Sequence, residues 1–339
     1  MENGLIDRGN HTAEVHTDQE IIEIVRKSWE ASILFAACRL GLFEKISQKP
    51  AGLGELAREL HADPRGLEAI MDALVQMGLM KFSDCKYRCT GKGRLLADPG
   101  GGLRAYIAFH EPLQHGWRYL PDYVIGHRQP ALEYNRSENE HVSETYACAM
   151  DALGAEAASE LAAFLDLEGT ERILDLGGGS GVYARAILNK CPTVRVDVWE
   201  RPAVCQLMRD ADDRTSWPEG LRFIEGNYLD CGFNSEYDFV LIANIVHNEG
   251  ANENQQILSA AKCALKPGGV VVIVDYFKGA SGKAAEGPVG FSAMLLLISK
   301  KGRIYEEAEV IQWLEGCSLE PYRKLTLSTG YEAIHARKT

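Results

Sequence analysis

The sequence predicts an α/β fold in which a mostly parallel sheet, covered by helices on both faces, ends in an antiparallel hairpin and follows a smaller helical module. Three observations carry this. Short apolar runs alternate with helical patterns: ERILDL, VYARAILNK, VRVDVW, a helix from Pro202, LRFIEG, YDFVLIAN, NENQQILSAAKCAL and GGVVVIVDYF. Such alternation is the signature of βαβ units whose strands are buried on both sides. A glycine-rich turn follows the first run, and the N-terminal part reads as helices followed by a short β-ribbon.

Taken in order, residues 1–17 are polar and lack periodicity, so they are expected to form a flexible arm. From Asp18 the pattern changes. Ile21, Ile22, Ile24, Val25, Trp29, Ile33, Leu34, Ala37 and Leu40 recur at helical spacing, with an apolar face broad enough for burial on two sides. LGELAREL and the helix that Asp63-Pro64 starts lead into the runs LMKFS and KYRCT, the outline of a winged helix over residues 18–102. A DNA-reading helix needs exposed Lys and Arg, whereas this one carries Arg65 against Glu68 and Asp72. Pro99-Gly100-Gly101-Gly102 marks a break, and the aromatic-rich segment over residues 103–152 is expected either to line a pocket, as a linker and substrate lid, or to pack between the domains. A helix near 153–166 opens the βαβ region, which runs to 339 and closes with YRKLTL and YEAIHAR around Ser328-Thr329-Gly330.

Composition narrows the function. The 339 residues, 46% hydrophobic and 25% charged, suit two globular units. A net charge of −12 repels phosphate backbones and anionic membranes, so nucleic-acid binding is not expected. No apolar run approaches the ~18 residues that span a bilayer, and the acidic N-terminus lacks a signal pattern. The nine scattered cysteines read as reduced thiols of a cytoplasmic protein. No metal-ligand cluster, nucleophile elbow or phosphate loop with Lys-Ser/Thr is present in the sequence.

The motif with most chemical content is Asp175-Leu-Gly177-Gly178-Gly179-Ser180-Gly181, between an apolar strand and a helix. Glycines there let a ligand touch the backbone at a helix N-terminus. A dinucleotide fingerprint would need glycine where Val182 stands. Glu200 ends the next strand, where a carboxylate accepts hydrogen bonds from both hydroxyls of a ribose. The combination points to an adenosine derivative.

With these residues in view, the chain resembles the class I S-adenosylmethionine-dependent methyltransferases that carry an N-terminal winged-helix dimerisation domain. It is most similar to the caffeate-type, hydroxyindole-type and polyketide O-methyltransferases, over about Gln19 to Ala336. The resemblance implies a Rossmann-like methyltransferase sheet, S-adenosyl-L-methionine as cofactor, a small-molecule acceptor and a homodimer. It assigns Asp175, Gly177, Gly179 and Gly181 to the cofactor loop, Glu200 to the ribose, and Asn227 and Tyr228, in place of the usual Gly-Asp-Phe, to the adenine. Asn244, at the end of its strand, is expected beside the cofactor, and Met150 and Tyr146 beside the acceptor.

By the same resemblance His247 is the general base that takes a proton from a phenol or hydroxyl, and Glu307 orients it. Asn248 replaces the usual Asp next to the histidine, and Tyr305-Glu306 replaces Arg-Thr before Glu307. Asp275 is expected at the same sheet edge, with no catalytic role. The alternative acceptor is a thioether acid such as methylthio-hydroxybutyrate, or a pigment carbon, for which no base is required. Arg104, Arg118, Arg128 or Arg136 would then grip the carboxylate. A transcription regulator that only senses adenosyl ligands is disfavoured by the acidic helix after Pro64.

Overall fold

The computed structural model describes residues 18–130, 140–210, 217–229, 232–233, 236–279 and 288–339. The arm expected over residues 1–17, and Arg136, lie outside the described residues. The chain divides into two compact units between Pro99 and Gly100.

The first unit runs α1 (Asp18–Arg39), α2 (Leu42–Gln48), α3 (Leu53–Glu59), α4 (Pro64–Gln76), the antiparallel pair β1 (Met80–Ser83) and β2 (Lys86–Cys89), and the short α5 (Gly91–Arg94). Asp63 starts α4 by accepting the Gly66 N–H at 2.8 Å, with Pro64 in the first turn where its missing N–H costs nothing. Leu67, Met71 and Leu74 then bury one face of that helix. In α1 only the last turns are buried, at Ala37 and Cys38, while Ile21, Ile24 and Trp29 stay 60–69% exposed.

The second unit begins with α6 (Gly102–Trp117), α7 (Leu120–Val124) and α8 (Glu140–Phe164). α8 starts well before the helix expected near 153, because Ala147 and Ala149 extend its buried row back beyond Ala157 and Leu161. The elements β3 (Arg172–Leu176), α9 (Val182–Lys190), β4 (Arg195–Glu200), α10 (Pro202–Asp210), β5 (Leu221–Glu225), β6 (Tyr237–Ala243), α11 (Ala251–Ala264), β7 (Leu265–Asp275), α12 (Phe291–Ile298), α13 (Glu307–Gly316), β8 (Leu319–Thr326) and β9 (Glu332–Lys338) follow.

The strands form one seven-stranded sheet in the order β5-β4-β3-β6-β7-β9-β8. β3 to β7 pair in parallel, whereas β9 runs antiparallel to both β7 and β8. Alternation along each strand sends side chains to opposite faces. Ile173, Val196, Val198 and Leu241 pack against α8 and α9; Leu174, Leu176, Val240 and Ile242 pack against α11 and α13.

The chain leaves β3 toward β4 on one side and later returns to β6 on the other. The crevice at such a reversal, at the carboxyl ends of the strands, is where α/β sheets hold ligands. The antiparallel course of β9 brings its N-terminal end to that same edge, since Glu332 pairs with Asp275. α8 ties these parts together: Asp151 accepts the Ser180 hydroxyl and pairs with Arg185, and Glu160 accepts from the Ser328 amide and hydroxyl.

Candidate active site

A cavity of about 380 Å³ opens at this strand edge. Its wall on the β3 and β4 side is the glycine loop. Gly177, Gly179 and Gly181 all have positive φ, at 69°, 56° and 78°. At Gly177 a Cβ would fall 2.6 Å from Ile245 Cδ1, so a side chain would fill the crevice that the bare backbone leaves open. Gly181 starts α9 behind the loop and does not line the cavity.

Glu200 is buried and faces the cavity. Its Oε2 accepts the Gly179 N–H at 3.0 Å and its Oε1 the Arg201 N–H at 2.8 Å, which clamps the carboxylate in place. Burial raises its pKa, and these two donors oppose the rise. Asp175 is wholly buried beneath the loop and is not part of the cavity wall; burial, and then the charge of Glu200, push it up to about 7. Tyr228 lines the cavity and donates its hydroxyl to Glu249 at 2.7 Å. Asn227, expected at the adenine, is exposed instead. Its Oδ1 turns back to accept the Leu229 N–H at 3.1 Å, the short-range bond that draws asparagine into turns. These residues fit an adenosyl ligand: a clamped carboxylate for ribose hydroxyls, bare loop backbone and an adjacent aromatic ring.

At the end of β6 the chain turns through Asn244, a cavity residue with φ of 58°, into a 3₁₀ turn over Val246–Asn248. Asn248 Nδ2 donates to the Asn244 carbonyl at 3.0 Å, which places His247 at the cavity wall. His247 is held twice by one carboxylate. Its Nδ1 lies 2.7 Å from Asp275 Oδ1, and its backbone N–H donates to Asp275 Oδ2 at 3.1 Å. This contact commits Nδ1 to the carboxylate and leaves Nε2 as the other ring nitrogen.

Asp275, not Glu307, is therefore the group that orients His247. Glu307 stands in the first turn of α13, where its Oε2 accepts from Lys324 Nζ at 2.8 Å. The physical reason is local. Glu306 takes the N-cap of α13 in a capping box with Glu309, and Tyr305, buried, donates its hydroxyl to the Glu249 carbonyl at 2.7 Å. That anchoring leaves Glu307 on the Lys324 side.

The rest of the wall is aromatic. Tyr146 and Met150 of α8 line it, with Tyr106, Phe109, His110 and Trp117 from α6, Phe291 and Met294 from α12, and Tyr276 and Tyr331. Burial, then the Glu200 charge, push the Tyr146 hydroxyl up to about 12, so it stays protonated and able to donate. Arg104 shares α6 with these residues but does not line the cavity, since its position on the helix points elsewhere than the Tyr106 and His110 face. Arg128 lies over the Tyr119 ring at 4.1 Å. Among the described residues no group of His, Cys, Asp and Glu gathers as a metal site, and no helix is long and apolar enough to cross a membrane.

The model of the O-methyltransferase domain matches residues 111–318, and that of the O-methyltransferase dimerisation domain matches residues 22–98. The chain belongs to this O-methyltransferase family. It is an S-adenosylmethionine-dependent methyltransferase with a dimerisation domain ahead of the catalytic one. Among its relatives, 3-hydroxy-5-methyl-1-naphthoate 3-O-methyltransferase of Streptomyces sahachiroi is 27% identical over 301 residues, 86% of each chain. Acetylserotonin O-methyltransferase of Bos taurus is 26% identical, over 91% of this chain and 94% of the relative. The fold is shared with human N-acetylserotonin methyltransferase in complex with S-adenosylmethionine, at a TM-score of 0.82 and 21% identity, over 96% and 99% of the two chains.

Proposed function

We propose that this methyltransferase acts on the hydroxyl of a small phenol, with His247 as general base and Asp275 as the group that positions it. The observation that carries the reading is the double hold of Asp275 on His247 at the cavity wall. When bound, S-adenosylmethionine supplies a methyl group on a sulfonium, activated for in-line displacement. Glu200 would accept from the ribose hydroxyls, the backbone at Gly177 and Gly179 would meet the ligand closely, and Tyr228 and Asn244 would flank it. His247 Nε2 takes the proton of the acceptor hydroxyl, and Asp275 stabilises the imidazolium that forms. Tyr146 and Met150 pack beside the acceptor. Sulfur and carbon acceptors lose support because a built base is of no use to a thioether, and because relatives that match most of the chain are named as O-methyltransferases.

We further propose that residues 18–102 pair two copies of the chain through the apolar face of α1, that residues 103–152 cover the acceptor, that residues 153–339 bind the cofactor, and that the enzyme works in the cytoplasm without a nucleic-acid partner. The eight described cysteines, all free, and the net charge of −12 support the last two points. Methyl transfer from labelled S-adenosylmethionine to a panel of phenols tests the reaction. Product on a phenol, reduced about 10²–10⁴-fold in His247→Ala, is the expected result. Product unaffected by the substitution would refute the base.

A further inference from the structure

The methyl-transfer reading leaves several polar groups of the cavity without a role, among them an imidazole. His110, on α6, lines the same cavity as His247. Its ring is gripped by neighbours on its own helix, with centroids 4.3 Å from Tyr106 and 5.0 Å from Phe109. Among the described residues no protein group hydrogen-bonds its ring nitrogens. Burial lowers its pKa from the ordinary value, so the imidazole is neutral near pH 7, with one N–H to donate and one lone pair to accept.

Flat aromatic rings make up much of the same cavity wall. Tyr276 stacks on Tyr331 at 4.0 Å with 22° between the planes, and Phe291 forms T-shaped pairs with both Tyr276 and His247. Such walls favour a planar aromatic ring. The charges on this wall do not favour an anion: Glu200 faces the cavity, and the Arg201 side chain lies 3.6 Å from that carboxylate.

We propose that His110 is a second recognition group for the acceptor, hydrogen-bonding a carbonyl or further hydroxyl of an uncharged planar phenol whose reacting hydroxyl lies at His247. This rests on the phenol reading above and adds that the acceptor carries a second polar group. A site built to bond such a group discriminates against the analogue that lacks it, because the half-buried imidazole then loses its partner.

Steady-state kinetics with saturating S-adenosylmethionine tests this. The acceptors are 2-naphthol, the isomeric dihydroxynaphthalenes and a hydroxynaphthoate as the anionic member. We expect at least one dihydroxynaphthalene to show a KM about fivefold to tenfold below that of 2-naphthol. His110→Phe, which keeps a ring against Tyr106 and Phe109, should abolish that advantage through KM, and His110→Asn should restore part of it. His115→Phe, an exposed position on the same helix, should leave the advantage intact. Calorimetric binding of S-adenosylhomocysteine verifies that each variant is folded. An advantage untouched by His110→Phe, an equal rise in KM for all acceptors, or a preference for the hydroxynaphthoate overturns the role of His110 while the phenol reading stands. Wild-type enzyme that methylates none of these phenols overturns both.

Discussion

A histidine becomes a useful base when one nitrogen is committed and the other is left with a lone pair aimed at the substrate. Asp275 does the committing here, through Oδ1 on the ring and Oδ2 on the backbone N–H of the same residue. Asp275→Asn removes the negative charge that favours the imidazolium and offers an amide that can face either way. It should lower kcat on a phenol about 10–100-fold while the acceptor KM changes little, as for other residues that orient a functional group. Glu307→Gln touches only the contact to Lys324, so its kcat should stay within about twofold of wild type, the range for exposed ion pairs. Reversal of the two results in the same assay would return the orienting role to Glu307. His247, Glu200 and the glycines were legible in the sequence because each sits at the end of an apolar strand. The choice between Asp275 and Glu307 was not, because it depends on which cap α13 adopts. The exposure of Asn227 and the placement of Arg104 were hidden for a similar reason, since helix rotation and turn closure are set by packing.

Among the elements, the buried strands were the easiest to read, as continuous apolar runs between turn signals, and the hairpin of β8 and β9 was marked by Ser328-Thr329-Gly330. The early start of α8 is not marked in the sequence, because Tyr146 and its neighbours read equally well as pocket lining. β9 also carries a group with no counterpart in the sequence reading. His335 is 3% exposed and pairs in register with Val272 on one side and Arg323 on the other. Burial, then the Arg323 charge, lower its pKa from 6.5 to about 4. Between those values the unfolded chain binds the proton more readily than the folded one. The contribution to stability is therefore whole above about pH 6.5 and is lost as pH falls toward about 4. Asp175 acts in the opposite sense, since a carboxyl raised to about 7 in the fold favours the folded state as pH falls. Thermal unfolding of wild type and His335→Leu side by side separates the two. The variant should lose Tm less steeply between pH 6.5 and 4, and parallel curves would remove His335 from the account.

For the molecule as a whole, the exposed apolar residues of α1 stand out on a chain with a net charge of −12. A patch of that kind on an otherwise charged surface marks an interaction site. Light scattering should give twice the chain mass for the wild type, and Trp29→Glu, which sets a charge in the middle of the face, should shift it toward the single chain. Wild-type protein that stays monomeric across concentrations would defeat the homodimer. The catalytic unit has its own division of labour. The glycine loop, Glu200, His247 and Asp275 stand on the ends of sheet strands, which the core holds from both faces, while much of the aromatic wall comes from α6, α8 and α12. On the mechanism proposed above, acceptor choice and chemical competence therefore rest on different supports. Substitutions in the helical wall that do not touch His247, such as one at His110, are then expected to change the substrate range without rebuilding the catalyst.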